Sequence, residues 1–528
     1  MIGFWSYNSL NLPSTRLPPQ DDWPLNAHRR THFGQHVLWH EYTTASNNST
    51  IDETTADGGG GRHLSAETLE QYRQQGDAAF DSILDLYAKE GQPFLAGDDL
   101  FNRLPSQQPV KNNDISRISD QTMSKADLAL QNTLSHYNKL PSWVDPEQLA
   151  RGQRVFLAYL PAIGLSLYYR SLVPGFSIPK IAAVLEATAY LAPPASKTAV
   201  RDRLMDTGAF LGACLKSEDV SDILPGGEGW KAALRVRLLH AKVRRRLMSA
   251  SGKRQWNTHH LGVPINQEDM AATLLAFSTN SLLGCEMMLG RALPVQDRLD
   301  YLALWRYLGW LLGVETGDDN RNVDINDPKQ QQPQPLDPCG PGWYEPKANP
   351  LEHSYSIFQS IIFHSLHPDA SSVRIAHHLL KQGRRQDGDS ETIKDKDKLE
   401  QSDTSWFYFR SLQCRRFIGD ELADALQLPL LPTWLGRLRL WCVSQFYLCM
   451  ITCYTVAGLP WSPFRSRLIR FHRRHMVTFM ASWNESHLER MRKRLQLTST
   501  SGSKQGQASV CPFAMVIQND SAAPDVVQ

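Results

Sequence analysis

His240 stands in the most suggestive window of the sequence for chemistry. Lys231–Arg254 reads KAALRVRLLHAKVRRRLMSASGKR, with nine basic residues, no acid and one histidine. On a helix, Val236 and Val243 fall beside the imidazole at i−4 and i+3, with Leu247 at i+7. Arg235, Arg237, Arg244, Arg245 and Arg246 take the remaining surface. A neutral imidazole facing an apolar slot, with guanidinium groups close by, suits a haem. A ring nitrogen ligates iron, aliphatic walls hold the macrocycle, and arginines such as Arg237 and Arg244 meet the propionates. The same pattern also fits a core histidine bonded to a carbonyl, beneath a solvated basic face.

A second pattern lies in the N-terminal arm, where His28, His32, His36 and His40 follow one another at i, i+4 spacing. Pairs at that spacing on a helix can chelate zinc or copper. Gly34 interrupts the run, and no carboxylate or thiolate completes a site. Asn266-Gln267-Glu268-Asp269 follows Pro264, so Asn266 is expected as a helix N-cap with the two acids in the first turn. Cys442, Cys449 and Cys453 share one helical face and are expected as inert core thiols. The sequence has no P-loop, no GxSxG elbow and no HExxH.

These residues need helices to position them, and the sequence supplies helical signals throughout. Apolar residues recur at three- and four-residue spacing between 146 and 317, without alternating Val/Ile/Thr runs. Asp145 before Pro146 marks a start, Pro193-Pro194 and Pro225-Gly226-Gly227 mark breaks, and Pro294 precedes a helix carrying Leu299, Leu302 and Trp305. Four stretches look unable to pack because they are polar, Gly/Pro/Gln-rich or charge-alternating: 43–63, 318–350, 384–403 and the tail after Leu497. The fold class expected is all-α.

The charge balance, 56 Lys+Arg against 54 Asp+Glu, argues against a nucleic-acid coat, and no aromatic residues interleave the arginine run. Eight cysteines without a CxxC pair predict reduced thiols. The N-terminus lacks the basic start and apolar run of a signal peptide, which favours an intracellular location. Residues 440–464 contain no charged residue and are followed by RSRLIRFHRRH. That segment is long enough to contact or span a membrane, and the arginines suit a cytoplasmic face. A buried helix broken at Gly458/Pro460 gives the same pattern.

Five ordered stretches resemble the catalytic domain shared by MpaB-type, ER-bound oxygenases and latex-clearing rubber oxygenases. They are WVDPEQLARGQRVFLAYLPAIGLSLYYRSLV (143–173), RLMDTGAFL (203–211), PGGEGWKAALRVRLLHAKVRRRL (225–247), GVPINQEDMAATLLAFS (262–278) and DYLALWRYLGWLLGV (300–314). The resemblance, over 143–317, implies an all-helical body with a globin-like haem-binding core and haem b. It also implies dioxygen as co-substrate and oxidative cleavage of a C=C bond in an isoprenoid chain. It makes His240 the iron ligand, and it matches Arg203 and Thr207 to an Arg-x-x-x-Thr pair near the oxygen site. Rubber oxygenases carry a lysine where this chain has Asp206. A lysine-gated resting state is therefore not expected here, and Asp206 is either a proton relay or a solvent-facing carboxylate.

The organisation expected is an N-terminal arm (1–63), a helical oxygenase catalytic domain (64–317) and a linker or loop (318–350). A C-terminal helical part of the same body (351–496) follows, with a candidate membrane-associated helix at 440–464, and then a tail (497–528). The function expected is haem-dependent oxygenation of a lipophilic small molecule in secondary metabolism, at the endoplasmic reticulum or another endomembrane. A monooxygenase or peroxidase-like haem oxidation, or a non-catalytic membrane-associated binding protein, are the alternatives.

Overall fold

The computed structural model describes residues 64, 66–95, 98–103, 123–188, 197–249, 255–316, 335–341, 349–381 and 393–478. In chain order the helices are α1 (Ala66–Arg73), α2 (Ala78–Lys89), α3 (Lys125–Tyr137), α4 (Pro146–Ala158), α5 (Leu160–Leu165), α6 (Pro179–Thr188), α7 (Lys197–Leu215) and α8 (Glu228–Met248). After them come α9 (Gln267–Phe277), α10 (Thr279–Leu289), α11 (Val295–Leu312), α12 (Pro350–Ser365), α13 (Ala370–Leu380), α14 (Ile393–Ile418), α15 (Trp434–Ala457) and α16 over 465–478. No strand occurs among the described residues, so the all-α expectation holds. The histidine stripe at His28, His32, His36 and His40, the whole 1–63 arm and the 497–528 tail lie outside them.

Short polar side chains start many of these helices by accepting bonds from otherwise unpaired backbone N–H groups. Asp77 caps α2, Ser124 caps α3, Asp145 caps α4 ahead of Pro146, and Asn349 caps α12. Asn266 and Asp269 form the full reciprocal box at α9: the Asn266 side chain accepts from the Asp269 N–H at 2.9 Å.

The core forms where these helices bury their apolar faces. α4 runs against α11, and Gly152 permits the approach, because a Cβ there would meet the Asp300 carbonyl oxygen at 2.4 Å. After α4 the chain bends by 75° at Tyr159 and passes through a π-helical turn, Ser166–Leu172. Arg170, fully buried in that turn, donates to Asn280 Oδ1 at 2.8 Å and to the Phe417 carbonyl at 3.0 Å, joining α10 to α14.

Two segments differ from the sequence expectation. Residues 393–403 form the first turns of α14 rather than a loop. Lys, Leu, Glu and Gln are strong helix formers, and alternating charge needs no burial to be helical. Within the 318–350 linker, 335–341 packs into the body. Leu336, Asp337 and Cys339 are buried, and Asp337 accepts from Arg306 Nε at 3.0 Å. The neighbouring Gln/Pro run masked a segment whose burial depends on a distant arginine.

Candidate active site around His240

α8 suits a long buried helix. Glu228 lies in its first turn and Arg245 and Arg246 in its last, each favourable to the helix dipole, and Ala232, Ala233, Leu234, Leu238 and Ala241 are buried. Its arginines do not simply coat a solvated face. Arg235, Arg237 and Arg244 are buried, and each meets a carboxylate.

α2 supplies most of those carboxylates. Asp77, Asp81 and Asp85 stand at i, i+4 and i+8, and they pair in turn with Arg237, Arg244 and Arg245. Arg235 grips Asp99 instead, Nη2 to Oδ2 at 2.8 Å. Arg237 Nε and Nη2 donate to Asp77 at 2.6 and 2.9 Å and Nη1 to the Trp310 carbonyl at 3.4 Å, with the guanidinium between the Phe80 and Tyr137 rings. Gly313, at φ +98°, closes over this pair; a Cβ there would meet Arg237 Nε at 2.8 Å. Arg237, expected as a propionate ligand, is thus fully engaged as an internal clamp.

Arg244 is different. Its Nε donates to Asp81 Oδ2 at 2.7 Å and its Nη1 to the Ile265 carbonyl at 2.7 Å, but Nη2 is enclosed and has no hydrogen-bond partner.

His240 lies one helical turn before Arg244. Its Nδ1 is enclosed and accepts or donates no hydrogen bond. Two other histidines of the body each bond a carbonyl: His353 meets that of Leu336 at 3.0 Å and His472 that of Leu157 at 2.7 Å. Burial first and the Arg244 charge second, with Asp77 opposing, lower the His240 pKa from its ordinary 6.5 to about 4. The ring is neutral at physiological pH, the state a metal ligand requires.

α7 packs along α8 and carries the other expected site residues. Asp206 is buried, which removes the solvent-facing reading of that carboxylate. Thr207 is exposed, and its hydroxyl donates back to the Arg203 carbonyl at 3.3 Å. Arg203 and Thr207 therefore meet through the helix backbone. Among the described residues, no three His, Cys, Asp or Glu side chains cluster as a metal site. A cavity of about 140 Å³ lined by Trp143, Leu149, Arg306 and Cys339 contains none of these residues.

The fit to a haem rests on two enclosed atoms that the protein leaves unbonded. A neutral imidazole can ligate iron, and a guanidinium nitrogen can receive a carboxylate. Sequence reasoning found both residues but missed the acidic ladder on α2, whose i, i+4, i+8 aspartates were the available signal.

Residues 179–447, just over half of the chain, match the family described as "ER-bound oxygenase mpaB/B'/Rubber oxygenase, catalytic domain". The chain belongs to that family. The protein is an oxygenase, hence an oxidoreductase. The oxygenase match begins after the 143–173 stretch and runs into α15, further toward the C-terminus than the resemblance over 143–317. Among solved structures, the latex clearing protein LCP in the closed state is similar, with 16% identity and a TM-score of 0.47 over 78% of this chain and 91% of that one. No curated protein matches the oxygenase significantly.

Proposed function

We propose that the protein is a haem-dependent oxygenase that uses dioxygen to cleave a carbon–carbon double bond in a lipophilic, isoprenoid-type substrate. The observation that carries this reading is the His240 imidazole, half-buried on α8, neutral, and with no protein partner at Nδ1. Haem b bound there would supply dioxygen activation beside the alkene, so that scission leaves two carbonyl fragments.

The chain's own residues bind and orient. His240 offers a lone pair, and Arg244 offers Nη2 to a carboxylate. Val236 and Leu247, on the His240 face of the same helix, add buried apolar wall and help to exclude water. On α7, Arg203 and Thr207 are the polar groups in support, and the Asp206 carboxylate can hold a proton or accept a hydrogen bond from water. Asp206 offers no amine, so this reading includes no lysine-capped resting state. A location at the endoplasmic reticulum or another endomembrane goes with it.

The absorption spectrum of the purified protein, before and after dithionite and carbon monoxide, tests cofactor and ligand together. A Soret band lost in His240→Ala, with oxygen-dependent loss of an alkene and carbonyl products in the wild type, is the expected result. A protein that stays colourless with added hemin overturns the reading. Normal haem incorporation in His240→Ala overturns the ligand assignment. Thr207→Ala is expected to keep its haem while turnover falls, and loss of haem together with folding assigns Thr207 a structural role instead.

A further inference from the structure

α15 is built inside out for a helix in water. The side turned to α5, α10 and α14 buries Ser444, Leu448 and Thr455, with Ser444 0% and Thr455 1% exposed. The buried hydroxyls are satisfied: Gln413 donates to Ser444 Oγ at 2.8 Å, and Thr455 donates to the Ile451 carbonyl at 2.8 Å. The outward side carries Leu435, Val443, Phe446, Met450 and Tyr454, with Leu435 64% and Phe446 70% exposed. Soluble amphipathic helices show the opposite arrangement. At 1.5 Å per residue the helix is about 36 Å long; its outward side is interrupted by Arg439 between Leu435 and Val443, is apolar from Val443 on, and is continued by exposed Trp461, Phe464 and Phe471 toward α16.

The charge around the strip identifies what covers it. Between Ala425 and Asn484 there are seven arginines and no acidic residue. Arg439, Arg467, Arg470 and Arg474 are exposed, and the last three form one stripe of α16 beside Phe471. Arg465 and Arg473, by contrast, turn inward to Asp297 and Glu218. A two-fold contact with a second copy would set two arginine-only surfaces near one another. A bilayer with anionic headgroups accepts both the aromatic and aliphatic strip and its cationic rim.

We propose that the outward faces of α15 and α16 seat the protein in one leaflet of an anionic membrane, with α15 lying in the plane of the surface. The helix does not span. Its inner face is fixed to α10 and α14, which bury Glu286, Arg415 and Arg416, groups that do not accompany a helix into hydrocarbon. Cys442, Cys449 and Cys453 then sit in lipid rather than in the core where their apolar stripe suggested, since all three are exposed. Delivery of a lipophilic substrate from the same bilayer rests on the proposed function, whereas the docking does not.

The three thiols report on the face directly, because one tryptic peptide, Leu440–Arg465, contains them all. Maleimide labelling of that peptide in the full-length protein is expected to be fast in buffer and at least about tenfold slower with phosphatidylserine–phosphatidylcholine vesicles. Phe446→Glu/Met450→Glu, at two exposed positions, is expected to restore fast labelling with the thermal midpoint unchanged. Arg467→Gln, Arg470→Gln and Arg474→Gln are each expected to weaken vesicle binding about fivefold.

Thiols already protected in buffer at every protein concentration mean that the chain's own remaining segments cover the face, which overturns the proposal. Protection that appears only as protein concentration rises means a second copy, and overturns it equally. So does vesicle protection undiminished in the double variant. No readout here involves haem, so this test and the spectroscopic one fail independently.

Discussion

His240 and Arg244 differ from their neighbours in what the protein leaves unbonded, and that difference has measurable consequences. The folded His240 pKa, about 4, lies below its ordinary value of 6.5, so the unfolded chain binds the proton more readily between those values. Stability contributed by the neutral ring is therefore full above pH 6.5 and declines as pH falls toward 4, by at most about 3 kcal/mol. Urea unfolding of the haem-free protein at pH 7 and pH 5 is expected to show that decline, and His240→Leu to abolish it. The two arginines should separate as well. Arg237→Gln leaves the buried Asp77 carboxylate without its cation and is expected to cost about 3–5 kcal/mol in urea unfolding. In Arg244→Gln the orphaned Asp81 reaches solvent, so the expected loss is about 1 kcal/mol, while hemin affinity falls about tenfold.

At the scale of elements, the α9 N-terminus offers a second pH signature of opposite sign. Asp269 is pushed up to about 7 by burial first and by the neighbouring Glu268 charge second, with Arg73 opposing. The folded protein thus holds a proton that the unfolded chain releases above about pH 4, and this group's contribution to stability falls between there and pH 7. Asp269→Asn keeps a carbonyl to accept from Asn266, so it is expected to flatten that decline and to raise stability at pH 8 by a few kcal/mol, at about 1.4 kcal/mol for each tenfold difference in proton affinity. Denaturation midpoints of wild type and variant across this range check it. The Asn266 cap was legible in sequence, as were the start at Asp145-Pro146, the helix after Pro294 and the break at Gly458, because caps and breakers act on their immediate neighbours. His240, Arg244 and the arginine run were equally legible as residue types. Their partners were not: Asp77 and Asp81 lie about 160 residues earlier, and only the tertiary fold brings α2 to α8. The same limit hid the packing of 335–341 and the outward thiols of α15, since periodicity identifies an apolar face without saying what it meets.

At the scale of the whole molecule, the family-matched stretch 179–447 is not the mechanical unit. α4 precedes it and forms the broadest helix-to-helix contact in the body with α11, burying Leu149, Val155, Phe156 and Leu157. α1 and α2 precede it too, and they hold the carboxylates and cations that pair with α8 and α9: Asp77 with Arg237, Asp81 with Arg244, and Arg73 with Glu268. Beyond residue 447, Arg465 fastens the C-terminal helices to the same core. It donates to both Asp297 oxygens, at 2.8 and 3.0 Å, and to the Gly458 carbonyl at 2.6 Å, while Tyr159 donates to Asp297 at 2.6 Å. Deleting 1–178 would leave four buried side chains of α8 and α9, Arg235, Arg237, Arg244 and Glu268, without counter-charges. Each such loss costs about 3–5 kcal/mol, against a total stability of about 5–15 kcal/mol for a domain. The isolated stretch 179–447 is therefore expected to show no cooperative thermal transition by circular dichroism and no hemin binding. Residues 64–478 are expected to show both, and a cooperative melt for 179–447 alone would mean that the α2–α8 ladder and the α4–α11 interface are dispensable for the fold.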